Sequence, residues 1–180
     1  HSANKKVKLS RFQTYVLYFF IFAFMGWLME TIYAIFTLGH FVKRGFLYGP
    51  ICPIYGYGAL MLILFLGKYH HKDLQLFVYA AIIFSAFEYL VSFSLDVLFS
   101  MHWWDYTGEF MNLNGRISIF YSFAWGIIAI LFINHAYPFL KKKLNLILSK
   151  IPYGLQTFAL KIFSITFIAD TIASCVRYLA

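Results

Sequence analysis

Long apolar runs, separated by short polar segments, are the dominant pattern along the chain. The runs cover residues 12–38, 46–67, 74–100, 117–138 and 153–178. Each run reaches the roughly 20 residues that a helix needs to cross a bilayer. The pattern predicts an all-α integral membrane protein, a helical bundle with about five transmembrane helices.

The second run differs from the others because proline and glycine interrupt its first half. These residues are Gly49, Pro50, Pro53, Gly56 and Gly58. They favour a helix that is broken or re-entrant at its start, which is tolerated at membrane depth only where the backbone is buried in protein or lines a cavity. The first run is too long for a cleavable signal, and we expect it to be retained as an anchor helix.

Composition supports the membrane assignment and bears on the number of domains. Hydrophobic residues make up 62% of the chain and charged residues 12%, whereas soluble domains have about 25% charged residues. No polar segment is long enough to fold alone, so we expect residues 1–180 to form a single transmembrane domain. Two cysteines, Cys52 and Cys175, are too few for a disulfide framework.

The basic residues predict the orientation of the chain. With five spans, the two termini lie on opposite sides of the membrane. If the N-terminal segment 1–11 is cytoplasmic, ten lysines and arginines fall on the inner side and four on the outer side. Because such an excess is typical of cytoplasmic loops, we expect residues 101–116 to be extracytoplasmic. The basic clusters then indicate topology and contacts with membrane lipids, and no nucleic acid is expected.

Acidic residues concentrate in the outer half of the protein under this topology. Glu30 lies about 27 Å along the first span and Glu88 about 21 Å along the third, at 1.5 Å per residue. Helical spacing produces two polar stripes, which are Ser85, Glu88, Ser92 and Asp96 on the third span and Thr166, Asp170, Ser174 and Arg177 on the fifth. Because a carboxylate at the bilayer centre costs about 2.5–3.5 kcal/mol, the stripes should face each other or water. The alternative is helix packing through small polar residues, with Asp170 and Arg177 as a neutralised pair.

The connection 101–116 combines aromatic and polar residues. Trp103, Trp104 and Tyr106 suit the membrane interface, where amphipathic rings lie at headgroup depth. Asn114 and Gly115 favour a tight turn with positive φ. The guanidinium of Arg116 suits a carboxylate or a phosphate. The polar residues Asp105, Asn112, Asn114 and Arg116 therefore predict a lid over an outward-facing cavity, with Asp105 and Arg116 paired as its strut.

Four stretches of the chain resemble one bacterial membrane-protein family. GWLMET at 26–31, RGFLYGPICPIYGYGAL at 44–60, FEYLVS around Glu88, and WWDY followed by NLNGRI at 103–117 are similar to the CmpB-like family of ABC-transporter type IV permeases. The resemblance implies a small multi-pass protein of the bacterial plasma membrane. By position, the motif residues of the family are Glu30, Arg44, Gly49, Pro50, Cys52, Pro53, Tyr55, Gly56, Glu88, Trp104, Asp105, Asn114, Gly115 and Arg116.

Transport is the first of three functions that the sequence leaves open. A permease-like protein would bind a small polar or cationic solute in an outward-facing acidic cavity. Because the chain has no GxxxxGK[ST] motif, it would need a separate ATPase, another membrane subunit or self-association. The candidate ligand-binding residues are Glu30, Arg44, Tyr55, Glu88, Asp96, Trp104, Asp105, Asn112, Asn114, Arg116 and Asp170.

The other two functions are catalytic and structural. A membrane enzyme would act on a lipid or lipid-linked substrate at the outer leaflet, with Glu30 or Glu88 as the base and Cys52 as the nucleophile. The chain has no HExxH, GxSxG or CxxC motif, which argues against metal and serine hydrolases, and we expect no metal and no cofactor. A non-catalytic assembly or regulatory membrane protein is the third function.

Overall fold

The computed structural model describes residues 7–102 and 104–180. Its helices are α1 (Arg11–Leu38), α2 (Pro53–Met61), α3 (Asp73–Phe99), α4 (Ile119–Leu131), α5 (Tyr137–Leu148) and α6 (Tyr153–Leu179). A π-helical stretch, Leu62–Leu66, and a 3₁₀ turn, Gly67–Tyr69, continue α2, and the π-helical stretch Phe132–Ala136 joins α4 to α5. The described residues contain no strand, only an isolated bridge between Leu113 and Ile117. The predicted all-α class is therefore confirmed.

Within the described residues, four helical stretches are long and apolar enough to cross a membrane, which supports the assignment to membrane proteins. They are Arg11–Leu38, Asp73–Phe99, Ile119–Leu148 and Tyr153–Leu179. In the second predicted span the helix begins only at Pro53, after a non-helical connection 39–52, so the broken start is confirmed.

The fourth span is predicted to end at Pro138, whereas the helix itself does not end there. The helix continues through Pro138 to Leu148. In the preceding π-helical stretch, the N–H of Tyr137 donates to the carbonyl of Phe132. Because proline has no N–H to donate, it is accommodated where the π-helical stretch already interrupts the ordinary hydrogen-bond pattern.

Contacts divide the chain into two compact units. The first unit consists of the chain up to Leu60 together with Lys143–Arg177. The second consists of Met61–Lys142 together with Tyr178–Ala180. A single transmembrane domain stays a prediction.

In the first unit, α1 and α2 pack closely through glycines. A Cβ on Gly26 would lie 2.2 Å from the ring of Tyr55, and one on Gly56 would lie 2.7 Å from the carbonyl oxygen of Phe19. Just before α2, the N–H of Cys52 donates to the carbonyl of Ala23 at 3.0 Å. Ala23 lies near the middle of α1, 15 residues before its last residue, Leu38. The connection therefore runs back from the end of α1 by about 22 Å, at 1.5 Å per residue, before α2 begins.

The second unit has its core between α3 and α4. Trp125 stacks on Phe84 with 5.2 Å between ring centres. Gly126 lets α4 approach α3, since a Cβ there would lie 2.5 Å from the ring of Phe77. The buried core residues are Leu62, Leu66, Leu76, Ala80, Phe84, Ala129 and Ile133.

Candidate functional site

Glu30 is the centre of a polar cluster in the first unit. The hydroxyl of Tyr55 donates to Glu30 Oε1 at 2.9 Å, and Cys52 Sγ donates to Oε2 at 3.8 Å. The Nε of Arg44 lies 3.7 Å from the same Oε2. Four residues predicted to bind a ligand or to act in catalysis therefore lie together, and both oxygens of Glu30 already have protein partners.

Asp170 and Arg177 of α6 hold the connection between α1 and α2. The backbone N–H groups of Tyr48 and Gly49 donate to the two carboxylate oxygens of Asp170 at 2.8 and 2.7 Å. Arg177 Nη2 donates to the carbonyl of Phe46 at 2.7 Å, and its guanidinium lies 4.0 Å from the ring centre of Tyr48. Asp170 accepts hydrogen bonds from two backbone N–H groups, and Arg177 donates one to a backbone carbonyl. Together the two side chains bind three polar backbone groups of the segment 46–49.

In the second unit, Asp96 near the end of α3 forms an ion pair with Arg116. Arg116 Nη2 donates to Asp96 Oδ2 at 2.9 Å, and His102 Nε2 lies 3.5 Å from Oδ1. The guanidinium also lies over the rings of Tyr89 and Phe93, 5.3 and 5.5 Å from their centres. Arg116 is thus held by one carboxylate and two aromatic faces.

The predicted strut between Asp105 and Arg116 is therefore wrong. Only 15% of the Arg116 side chain is exposed, and its partner Asp96 is half-buried, whereas Asp105 is exposed. An ion pair that is partly withdrawn from water is screened less than an exposed one. Arg116 also lies at the C-terminal end of α3, where the helix dipole favours a cation.

Asp105 instead organises its own turn. The N–H of Thr107 donates to Asp105 Oδ1 at 2.9 Å, and the hydroxyl of Thr107 donates to the same oxygen. These bonds hold the pKa of Asp105 below its ordinary value. The side chain of Asn112 donates to the carbonyls of Thr107 and Glu109 at 3.0 and 2.9 Å. Both predicted ligand residues therefore bond within the loop.

The remaining predicted loop residues complete a tight turn. Asn114 and Gly115 have φ values of 53° and 69°, which confirms the positive-φ turn. Asn114 Nδ2 donates to the hydroxyl of Tyr89, and Trp104 Nε1 donates to the carbonyl of Arg116, both at 2.9 Å. The loop is thus tied to α3. Trp103 lies outside the described residues.

Glu88 has a different environment from the other acids. Only 7% of it is exposed, and its Oε2 has no hydrogen-bond partner in the described part of the chain. The indole of Trp125 and the phenol of Tyr106 face this carboxylate, yet the indole N–H also lacks a hydrogen bond of normal geometry among the described residues. Burial and the nearby Glu88 raise the pKa of Tyr106.

The structure therefore distributes the predicted acidic residues over both units. Glu30, Arg44, Cys52 and Tyr55 lie together in the first unit, whereas Glu88 and Asp96 belong to the second. A cavity shared by Glu30, Glu88 and Asp96 stays a prediction. Among the described residues, no group of three or more His, Cys, Asp or Glu side chains is arranged to hold a metal ion.

Sequence reasoning missed Trp125 as a neighbour of Glu88 and treated Tyr106 only as an interfacial residue. Trp125 lies within an apolar span, where helical periodicity does not distinguish it from other aromatic core residues. Tyr106 lies beside Asp105 in the loop, and its stacking on Tyr121, with 4.4 Å between ring centres, depends on the fold. Trp125 is one of two tryptophans inside the predicted spans, the other being Trp27, and its polar indole N–H was the available signal.

A comparison with protein families shows a match over most of the chain. The family model described as "Putative ABC-transporter type IV" matches residues 17–175. No curated protein and no solved structure matches the chain.

Proposed function

Because the chain belongs to the family described as "Putative ABC-transporter type IV", we propose that it is the membrane component of a transporter and binds a small cationic or polar solute at Glu88. The observation that carries this proposal is the buried Oε2 of Glu88, which has no partner among the described residues. A charge within a membrane span is costly and is a functional candidate by default. A solute with a positive charge or a hydrogen-bond donor would compensate that cost.

The surroundings of Glu88 favour a cation that also accepts a hydrogen bond. The unpartnered N–H of Trp125 is a donor only, and it faces the same space as the Glu88 carboxylate. The aromatic faces of Trp125 and Tyr106 would add cation–π attraction, which is worth about 2 kcal/mol or more in desolvated sites. Asp96 differs from Glu88 because Arg116 already neutralises it.

The contacts of Tyr106, rather than those of Asp105, support a role for the loop 101–116 as a lid over Glu88. Tyr106 is half-buried, its phenol faces Glu88, and its ring stacks on Tyr121 of α4. The ion pair between Arg116 and Asp96 fastens the other end of the loop to α3. Opening this pair would release the loop and expose Glu88 to a solute from the side on which the loop lies.

Cation binding to the purified protein in lipid nanodiscs tests the proposal. Sodium and choline, a cation whose hydroxyl oxygen can accept a hydrogen bond, would be titrated while tryptophan fluorescence is recorded, because Trp125 borders the carboxylate. We expect a saturable response to at least one of the two cations, and Glu88→Gln should weaken it more than tenfold. Glu109→Gln, which removes an exposed loop carboxylate, should leave it unchanged. Absence of any response, or equal binding by Glu88→Gln, would contradict the proposal.

We further propose that the protein lies in a bacterial plasma membrane with residues 1–11 in the cytoplasm and the loop outside, and that a separate ATPase or self-association completes the transporter. The excess of basic residues on the segments assigned to the inner side supports this orientation. Single cysteines at Thr107 and Ser149, in a variant that lacks the native cysteines, should react with an impermeant thiol reagent from opposite sides of sealed cells. Labelling of both from outside would refute the orientation.

A further inference from the structure

A row of three cavities runs between α1 and α6 within the first unit. The first, about 630 Å³, lies where the two helices begin, and the second and third measure about 290 and 470 Å³. Leu9, Leu148, Ile151 and Gln156 line both the first and the second cavity. Leu17 and Phe163 line both the second and the third. The shared residues show that the three cavities adjoin one another in a row, and this row is called the groove below.

The first cavity has a basic and hydrogen-bonding wall. Its polar lining residues are Lys8, Thr14, Asn145, Ser149, Lys150 and Gln156. None of the seven acidic residues of the chain lines it. Neither Lys8 nor Lys150 forms an ion pair within the described part of the chain. The two ammonium groups are therefore available to a phosphate.

The rest of the groove is apolar. The second cavity has Gln156 as its single polar lining residue within the described structure, and the third is lined mainly by aliphatic and aromatic side chains until it reaches Asp170. Rings of α1 and α6 bridge it, with 5.9 Å between the centres of Phe20 and Phe163. The groove begins at Leu9, just before α1, and its lining residues on α1 extend to Phe24. From Arg11 to Phe24 the helix rises about 20 Å at 1.5 Å per residue, which exceeds half of the roughly 30 Å hydrocarbon core of a bilayer.

We propose that this groove binds one anionic phospholipid, with its phosphate between Lys8 and Lys150 and an acyl chain along α1 and α6. The basic end coincides with the starts of two membrane-spanning helices, where lipid headgroups lie. Basic pockets between transmembrane helices recognise anionic headgroups. A free phosphate would pair with the lysines but would leave the apolar second and third cavities unfilled. The occupant that matches both parts of the groove is a lipid.

Native mass spectrometry of the detergent-solubilised protein tests the proposal. The protein would be mixed with equal amounts of phosphatidylglycerol and phosphatidylethanolamine. We expect the protein to retain one molecule of phosphatidylglycerol in preference to phosphatidylethanolamine. The double variant Lys8→Ala/Lys150→Ala should lower its affinity about twenty-five-fold, at about fivefold per lysine. The matched control Lys72→Ala/Lys142→Ala removes two lysines that do not line the groove and should retain the preference.

A second pair of variants tests the apolar part of the groove without changing charge. Ala159 lines the second cavity, whereas Ala169 is exposed on the same helix and lines none of the three. Ala159→Phe should reduce phosphatidylglycerol retention at least fivefold, and Ala169→Phe should not. Circular dichroism and gel filtration would establish that each variant is folded.

Several results would overturn the proposal. Equal retention of both lipids by the wild type, or unchanged preference in the Lys8→Ala/Lys150→Ala variant, would show that the lysines do not select the headgroup. Displacement of phosphatidylglycerol by an equal concentration of inorganic phosphate would show a phosphate site without an acyl chain. A protein dimer that Ala159→Phe abolishes would show that a second copy occupies the groove.

Discussion

Arg116 Nη2 donates to Asp96 Oδ2 at 2.9 Å, and this bond joins the loop 101–116 to the end of α3. The pair is partly buried, and Arg116 also lies over the rings of Tyr89 and Phe93. Asp96 carries a second basic neighbour, His102, at 3.5 Å. The mobility of the loop should therefore depend on this pair rather than on Asp105.

Asp96→Asn should lower the free energy of unfolding by about 1–3 kcal/mol, because it removes a charged acceptor from the buried guanidinium. Arg116→Lys should cost nearly as much, since a lysine lacks the planar group that contacts the carboxylate and the rings. Urea unfolding of both single variants and the double variant gives the coupling energy. If the effects of the two substitutions on the free energy of unfolding were strictly additive, a direct interaction between Asp96 and Arg116 would be contradicted.

Asp170→Asn should loosen the connection between α1 and α2. An asparagine side chain places an NH₂ group where Asp170 accepts an N–H, so one backbone donor of Tyr48 or Gly49 loses its partner at about 1–3 kcal/mol. Cys52, which is 4% exposed, should then react faster with a maleimide in a Cys175→Ser background. Thr166→Val, one turn away on α6, should leave the rate unchanged. An unaltered rate in Asp170→Asn would argue against this role.

Gly56→Ala should destabilise the first unit by about 1–3 kcal/mol through overpacking. Its Cβ would lie 2.7 Å from the carbonyl oxygen of Phe19, a backbone atom that cannot rotate away. Gly154→Ala is the matched control, because a Cβ at Gly154 meets nothing within 4 Å and alanine is up to about 1 kcal/mol better than glycine in a helix. Thermal unfolding of the two variants should therefore shift in opposite directions.

The turn at Asp105 should have an acid-dependent stability. Because Thr107 holds the pKa of Asp105 below its ordinary value, folding stabilises the charged carboxylate. This stabilisation is complete above the ordinary aspartate pKa of about 4 and is lost as the pH falls through the lowered pKa. Thr107→Val should raise the pKa, as measured by carbon-detected NMR of the Asp105 carboxyl. An unchanged titration would show that the hydroxyl contributes nothing.

Local signals in the sequence predicted the local features correctly. The proline and glycine residues around the start of α2 predicted its broken start, and Asn114–Gly115 predicted the turn. Both features follow from the backbone preferences of a few residues. The partners of Arg116 and Asp170 could not be predicted in the same way. Asp96 is 20 residues from Arg116, and Tyr48 is 122 residues from Asp170, so these contacts depend on how the helices pack. The helix through Pro138 was missed because a π-helical stretch has no simple sequence signature.

The bonds from Tyr48 and Gly49 to Asp170 have a consequence for how the protein is made. Asp170 is synthesised 122 residues after Tyr48, which takes on the order of ten seconds at about 5–20 residues per second. During that interval, these two backbone N–H groups lack the acceptor that they have in the finished protein. Unsatisfied backbone groups in lipid cost several kcal/mol each. The nascent connection must therefore stay in water, or be sheltered by the insertion machinery, until α6 emerges from the ribosome.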